Sequence, residues 1–227
     1  MTASRSIRKL FRVALNLFYR PYVLRRIRRP EKIVFRGCEI QTHPSVFHPA
    51  LFFSTGILIT SLEKIPLRGK SFLDMGTGTG VVGIAAARQG AKVTSCDVNR
   101  TAVELAQRNA SRNSVQIELR CSDLFSNLNG ELFDVIAFNI PFFPRQPRSD
   151  FEEAFNAGES FSVVKRFARE SLQHLNNEGV VVIVFSEDSG YEMITGFFLD
   201  EGFHILKSAI RSKMFEKFYV VTFARKR

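Results

Sequence analysis

The hydrophobic rhythm of the chain changes near residue 70. From there on, short apolar, β-branched runs alternate with segments whose apolar residues recur every three to four positions. Strands are expected at "SFLDM" (71–75), "KVTSCDV" (92–98), "VQIELRCSD" (115–123), "FDVIAFN" (133–139) and "VVVIVFSE" (180–187). Helices are expected near 79–89, 100–112, 160–175 and 189–200. Runs that are apolar throughout, rather than alternating, suit strands buried on both faces of a parallel sheet. Two last runs, "FHILKSAI" (203–210) and "KFYVVTF" (217–223), lie a few residues apart, as the arms of an antiparallel hairpin do. The pattern predicts an α/β fold: a Rossmann-like, doubly wound, mostly parallel seven-stranded sheet with an antiparallel C-terminal hairpin.

Ahead of this region the pattern is different. Ile7, Leu10, Phe11, Ala14, Leu17 and Phe18 recur at helical spacing, with Arg5, Arg8, Lys9 and Arg12 on the other face, until Pro21 breaks the run. Between residues 1 and 36 stand eleven Lys and Arg against one acid, Glu31, whereas the remainder carries 21 of each sign. The formal charge of +10 is therefore a property of an N-terminal arm and not of the globular body. The expected division is a basic arm with an amphipathic helix at 1–44 and a cofactor-binding domain at 45–227. Through residues 5–36 the arm is a candidate contact for RNA phosphate, an anionic membrane surface or the protein's own domain. Next, "HPSVFHPALFFSTGILITSL" reads as a loop followed by a helix entering the domain.

Composition narrows the setting. No run of about 18 apolar residues exists to span a membrane. Cys38, Cys96 and Cys121 have no CxxC spacing, and buried free thiols in a reducing, cytoplasmic setting are expected. The four His show no metal-ligand spacing, so no metal is expected.

Chemistry enters at "FLDMGTGTGVVGIAAA". Gly76, Gly78 and Gly80 follow a strand and open a helix, so the backbone can turn tightly, approach a ligand and offer unpaired N–H groups. Gly78, Gly80 and Gly83 also spell GxGxxG, the dinucleotide fingerprint, so two cofactor classes compete. Asp74 separates them, because a carboxylate there repels a diphosphate and attracts the ammonium of a methionine moiety. Asp97, ending the second strand, is placed for ribose hydroxyls, and Asp123, ending the third, for an adenine amino group.

In order and spacing, "LDMGTGTG", "CDVN", "CSD" and "NIPF" resemble a class I S-adenosylmethionine-dependent methyltransferase. The likeness is to the branch holding release-factor glutamine, ribosomal-RNA guanine-N2 and DNA adenine-N6 methyltransferases, and covers roughly 45–224. It implies S-adenosylmethionine as cofactor and Asp74, Gly76, Thr77, Gly78, Gly80, Asp97, Val98 and Asp123 as its contacts. Ser54 and Thr55, in the segment that covers the cofactor in related enzymes, join them. In that branch the fourth strand ends in Asn or Asp, Pro, Pro, then Tyr or Phe; here it ends in Asn139, Ile140, Pro141 and Phe142.

Those four positions explain why a buried strand stops at a polar amide. The lone pair of an amide or nucleobase NH2 is delocalised, so the nitrogen is a poor nucleophile. The Asn139 side-chain oxygen and the Ile140 carbonyl would accept its two hydrogens, aim the lone pair and stabilise charge developing on nitrogen. Pro141 stiffens the turn, and Phe142 offers a face for a planar group. Ile140 departs from the family's first Pro, but only its carbonyl is asked to act. The long aperiodic stretch after Phe143, with Arg145 and Arg148, is a candidate lid unlike the equivalent loop of the glutamine methyltransferases. The acceptors expected, in falling order, are RNA or a ribosome-associated protein, a small metabolite, and DNA. The competing readings are a nicotinamide-dependent oxidoreductase and a non-catalytic adaptor using the basic arm.

Overall fold

The computed structural model describes residues 25–141, 161–213 and 216–226. The predicted helix at the start of the arm, Phe142 and the candidate lid lie outside them. Nine strands and five α-helices occur among the described residues: β1 (Lys32–Phe35), β2 (Cys38–Gln41), α1 (Phe53–Leu62), β3 (Ser71–Met75), α2 (Val81–Arg88), β4 (Lys92–Asp97), α3 (Arg100–Arg112), β5 (Glu118–Cys121), β6 (Phe133–Asn139), α4 (Ser162–Gln173), β7 (Leu175–Ser186), α5 (Tyr191–Asp200), β8 (Phe203–Lys213) and β9 (Glu216–Arg225).

Strands β3 to β9 form one sheet in the order β5-β4-β3-β6-β7-β9-β8. The pairs from β5 to β7 are parallel, whereas β9 runs antiparallel to both β7 and β8. The expected seven-stranded sheet and its C-terminal hairpin are present. Its two faces are covered by different layers. Phe161, Val164 and Phe167 at and within α4, with Ile194 and Phe198 of α5, bury one face together with Phe185, Val221 and Phe223. Helices α1 and α2 and strand β2 bury the other around Phe72, Val135, Ala137, Val182 and Val184. Burial on both faces is why these strands are apolar throughout.

The chain builds β3, β4 and β5 outward, then returns to place β6 on the other side of β3. The ends of β3 and β6 therefore diverge, opening the crevice where open α/β sheets bind ligands.

Within the expected arm, residues 32–41 form a hairpin turned by Arg36 and Gly37, both at positive φ, 53° and 74°. Asn109 of α3 and Asn113, the residue that caps its C-terminus, hold β2 as a neighbouring strand would. Asn109 accepts from Gln41 N at 2.8 Å and donates to Gln41 O at 3.0 Å. Asn113 does the same for Glu39 N at 3.0 Å and Glu39 O at 2.8 Å. One expectation fails here: Cys121, read as buried, is exposed at the end of edge strand β5, while Cys38 and Cys96 are buried. With β5 at the sheet edge, the apolar context of Cys121 does not become burial.

Candidate active site

A cavity of about 360 Å³ occupies the crevice, within the size range of small-ligand sites. It is lined by Asp74, Gly76, Thr77 and Gly78 at and beyond the end of β3, Asp97 and Val98 at the end of β4, Asp123 after β5, Asn139 and Pro141 at the end of β6, and Thr55 of α1. Ten of the residues expected from sequence thus converge on one space. Gly80, Ser54 and Ile140 do not line it. Gly80 caps α2 in a left-handed conformation (φ 83°), and Ser54 and the Ile140 side chain are buried in the protein.

The glycine loop is shaped by close approaches. A Cβ on Gly76, at φ 65°, would lie 2.8 Å from the Phe138 ring, itself part of the cavity wall. Gly83, inside α2, lets the helix settle over the end of β3, where a Cβ would meet Ser95 Oγ at 2.5 Å and Asp74 Oδ2 at 3.3 Å. Asp74 is buried, and its Oδ2 accepts from Thr77 Oγ1 at 2.6 Å and from the Gly83 N–H at 3.0 Å. Burial raises its pKa to about 7, with the nearby Asp97 charge adding, against the lowering effect of those two hydrogen bonds. Asp97 is raised as well by burial, although the N–H groups of Gly78 (2.9 Å) and Asn99 (3.0 Å) stabilise its charge.

Two carboxylates brought into one cavity with costly charges favour a cationic ligand and disfavour a diphosphate. The nicotinamide reading loses its footing here. A cationic amino-acid tail at Asp74 and a ribose at Asp97 match S-adenosylmethionine.

Asp123 differs in circumstance from its expected role. It lines the cavity, but its Oδ1 is ion-paired with Arg166 of α4. An adenine amino group approaching Asp123 would share the carboxylate with that guanidinium. Such a partner, 43 residues on and across a helix, leaves no local trace in sequence.

Sequence reasoning missed the strap from Ser45 to Pro49, whose Ser45, Val46, Phe47 and Pro49 form one wall. The strap is pinned at both ends. Asn99 Nδ2 donates to Ser45 O at 3.1 Å, while Asn99 Oδ1 caps α3 by accepting from Thr101 N at 2.9 Å. His48, 2% exposed, places Nε2 2.5 Å from Glu31 Oε1, and Arg26 closes on both Glu31 oxygens. Burial works to raise the pKa of Glu31, but its bonds to Arg26 and His48 outweigh it and hold the carboxyl low. The "CDVN" motif was a signal for Asn99, a cap residue one step past Val98; the strap, aperiodic and apolar, carried none.

At the far end of the cavity Asn139 is the last β6 residue paired with β7, opposite Val184. Its Nδ2 donates to Thr55 Oγ1 at 3.4 Å. Its Oδ1 is buried and has no hydrogen-bond partner among the described residues. The next residue stays in the ladder through its N–H, from Ile140 N to Val184 O at 3.2 Å.

The family model of the methyltransferase small domain matches residues 37–221. The chain belongs to that family. Methyltransferase small domain members are its relatives over most of its length. A Methanocaldococcus jannaschii protein, provisionally named a protein N5-glutamine methyltransferase, is 34% identical over 195 residues, covering 83% of this chain and 96% of the relative. Ribosomal RNA small subunit methyltransferase C of Escherichia coli is 32% identical over 173 residues, covering 74% of this chain but only 45% of that enzyme. Among solved structures, a T. thermophilus 16S rRNA methyltransferase in complex with AdoMet and guanosine superposes with a TM-score of 0.66 at 24% identity, covering 88% of this chain and 50% of that one. As a member of the family, the chain is an S-adenosylmethionine-dependent N-methyltransferase, and the oxidoreductase and adaptor readings are not favoured. No described helix is long and apolar enough to cross a membrane, and no group of His, Cys, Asp and Glu suited to a metal occurs among the described residues. The expected membrane contact finds no support.

Proposed function

We propose that the enzyme methylates a primary amide or exocyclic amino nitrogen, with the side-chain amide of a protein glutamine as the leading acceptor. The observation that carries this reading is the Asn139 oxygen, buried and without a partner among the described residues, on a residue that lines the same cavity as Asp74 and Asp97. A buried acceptor left unpaired costs about 1–3 kcal/mol, and such exceptions mark a group reserved for another partner. With its nitrogen end already engaged by Thr55, what remains of Asn139 is an acceptor, which suits a group that brings N–H bonds.

In this reading S-adenosylmethionine supplies a methyl group on a positively charged sulfur. The protein's residues do the rest. Asp74 would attract the cofactor's ammonium, Asp97 would take its ribose hydroxyls, and the N–H groups of the glycine loop would border it. Asn139 Oδ1 would accept one of the acceptor's hydrogens and turn the nitrogen lone pair away from its own π-system; the Ile140 carbonyl, whose residue is buried and does not line the cavity, would have to turn toward the acceptor to take the second. Charge developing on nitrogen would fall beside the Asn139 oxygen dipole. No base is required before transfer: the sulfur would leave as a neutral thioether, and the methylated nitrogen, then positively charged, would release one proton to solvent.

The glutamine side chain leads because the relative matched over nearly its whole length carries that name. A guanine amino group is the second reading, favoured by the likeness to the ribosomal-RNA enzyme, of which the chain spans under half. The basic residues between 5 and 36 suit an acceptor carried on or near RNA, and three unpaired thiols suit a cytoplasmic setting. The test is transfer of radiolabelled methyl into cell extract, resolved into protein, RNA, DNA and small-molecule fractions, with Asn139→Ala as control. Asn139-dependent label in protein that releases methylamine on acid hydrolysis supports the leading reading. Label confined to RNA replaces it with the second.

A further inference from the structure

The proposed chemistry requires the oxygen end of the Asn139 amide, and not its nitrogen end, to face the acceptor. The two ends are nearly equal in shape, and a half-turn about the terminal torsion exchanges an acceptor for a pair of donors. Turned the wrong way, Asn139 would meet the acceptor's N–H bonds with its own. The backbone ladder with β7 fixes the main chain of Asn139 but not the sense of its side-chain amide. Something else must tell its two ends apart.

Thr55 meets that need once its own hydrogen is given to a carbonyl one turn back, as helical threonines give it; the hydroxyl oxygen then offers only lone pairs, which select the nitrogen end. Thr55 is the third residue of α1, 5% exposed, and its hydroxyl receives Nδ2 while Oδ1 has no partner among the described residues. Both residues line the cavity, although 84 positions separate them. Helix α1 is buried from Ser54 to Ile59, so the hydroxyl is carried on a fixed element. A β-branched side chain there has few rotamers in which to lose its aim. The contact is long at 3.4 Å, toward the limit of a hydrogen bond.

We propose that Thr55 is a positioning residue: it holds the nitrogen end of Asn139 and thereby commits the oxygen end to the methyl acceptor. This goes beyond the expectation that Thr55 touches the cofactor, and it rests on the reading of Asn139 as the acceptor-binding group. The hydroxyl never meets the reacting atoms in this account, so its removal should act on turnover and leave cofactor affinity alone.

The test compares Thr55→Val, which removes the hydroxyl at nearly equal volume, with Thr55→Ser, which keeps it, in the full chain. The first readout needs no activity. The side-chain NH2 resonances of Asn139, identified by their loss in Asn139→Ala, should shift and exchange faster in Thr55→Val and return toward wild type in Thr55→Ser. The second readout is kinetic. Thr55→Val should lower kcat about tenfold with the S-adenosylmethionine Kd changed less than about twofold, Thr55→Ser should recover most of the loss, and Thr55→Val should add little in an Asn139→Ala background. If Thr55→Val fails to fold, Thr55→Ala carries the same comparison. An unmoved Asn139 amide overturns the proposal whatever the kinetics, and so does a loss appearing mainly in cofactor Kd. A perturbed amide in an enzyme whose Asn139→Ala variant keeps full turnover overturns the underlying reading of Asn139, and the two failures are told apart.

Discussion

Replacing Asp74 by Asn should make the protein without cofactor more stable and its cofactor binding weaker, with a pH dependence that identifies the cause. Burial carries the Asp74 pKa from 3.8 in the unfolded chain to about 7 in the folded one. Below about pH 4 the carboxyl is protonated in both states and contributes nothing to the difference between them. Between about 4 and about 7 the folded chain keeps a proton that the unfolded chain has released, so stability falls as pH rises, by about 1.4 kcal/mol per unit. Above about 7 both states are ionised and the full penalty, about 4 kcal/mol, is in place. An Asn retains an oxygen for Thr77 Oγ1 and the Gly83 N–H and carries no such slope. The gain in Tm of Asp74→Asn over wild type should therefore be near zero at pH 4 and rise to at most about 8–16 °C at pH 8, at 2–4 °C per kcal/mol for a chain of this size. Thermal melts from pH 4 to 9 check it, with calorimetric titration of S-adenosylmethionine at pH 8, where the variant should bind at least about tenfold more weakly. Parallel stability profiles for the two proteins would refute the assignment of a costly buried charge, and equal affinities would remove Asp74 from the cofactor site.

Other outcomes follow from the same geometry. Asn139→Ala should lower turnover about 10²-fold or more while leaving the S-adenosylmethionine Kd nearly unchanged, measured by direct methyl transfer and calorimetry. Asp97→Ala should weaken cofactor binding with little effect on the fold, and an unaltered Kd would exclude it from the site. Glu31→Gln removes the charge that holds the strap's His48 and that Arg26 pairs with. Because the Glu31 pKa is lowered in the fold, its stabilisation is present above the ordinary carboxylate range and lost as pH falls through the folded value. The variant should release cofactor several-fold faster at pH 7, read by stopped-flow displacement, and differ little from wild type at acid pH. Gly76→Ala forces a Cβ against the Phe138 ring at positive φ and should cost about 1–3 kcal/mol together with cofactor binding, checked by denaturant unfolding and titration.

The parts legible from sequence were those set by local pattern. Parallel strands announced themselves because burial on both faces demands uninterrupted apolar residues, and the ends of β3, β4 and β6 were marked by Asp74, Asp97 and Asn139. The hairpin at 32–41 was hidden for a physical reason: its strands are four residues each, and its basic residues continue the charge of the segment before it. What holds it, Asn109 and Asn113, looks in sequence like two polar positions on an amphipathic helix. The strap was illegible because its order comes from partners far along the chain, Asn99 on one side and Glu31 on the other. Asp123 was legible as a strand-end carboxylate, but its pairing with Arg166 depends on how α4 returns to the sheet.

Position 140 carries a consequence for anyone mapping this enzyme by substitution. The Ile140 side chain is 1% exposed in the core, and its backbone N–H still belongs to the ladder with Val184, so the role assigned to the residue falls entirely to its carbonyl. No exchange of side chain removes that group. A mutational scan will grade position 140 by volume and hydrophobicity and score it as scaffold, with Val or Leu tolerated and Asp rejected. The proposed role of position 140 is thus invisible to conventional mutagenesis; an amide-to-ester replacement at the 140–141 linkage weakens the carbonyl as an acceptor but also removes the Pro141 ring, so it has to be read against Pro141→Ala.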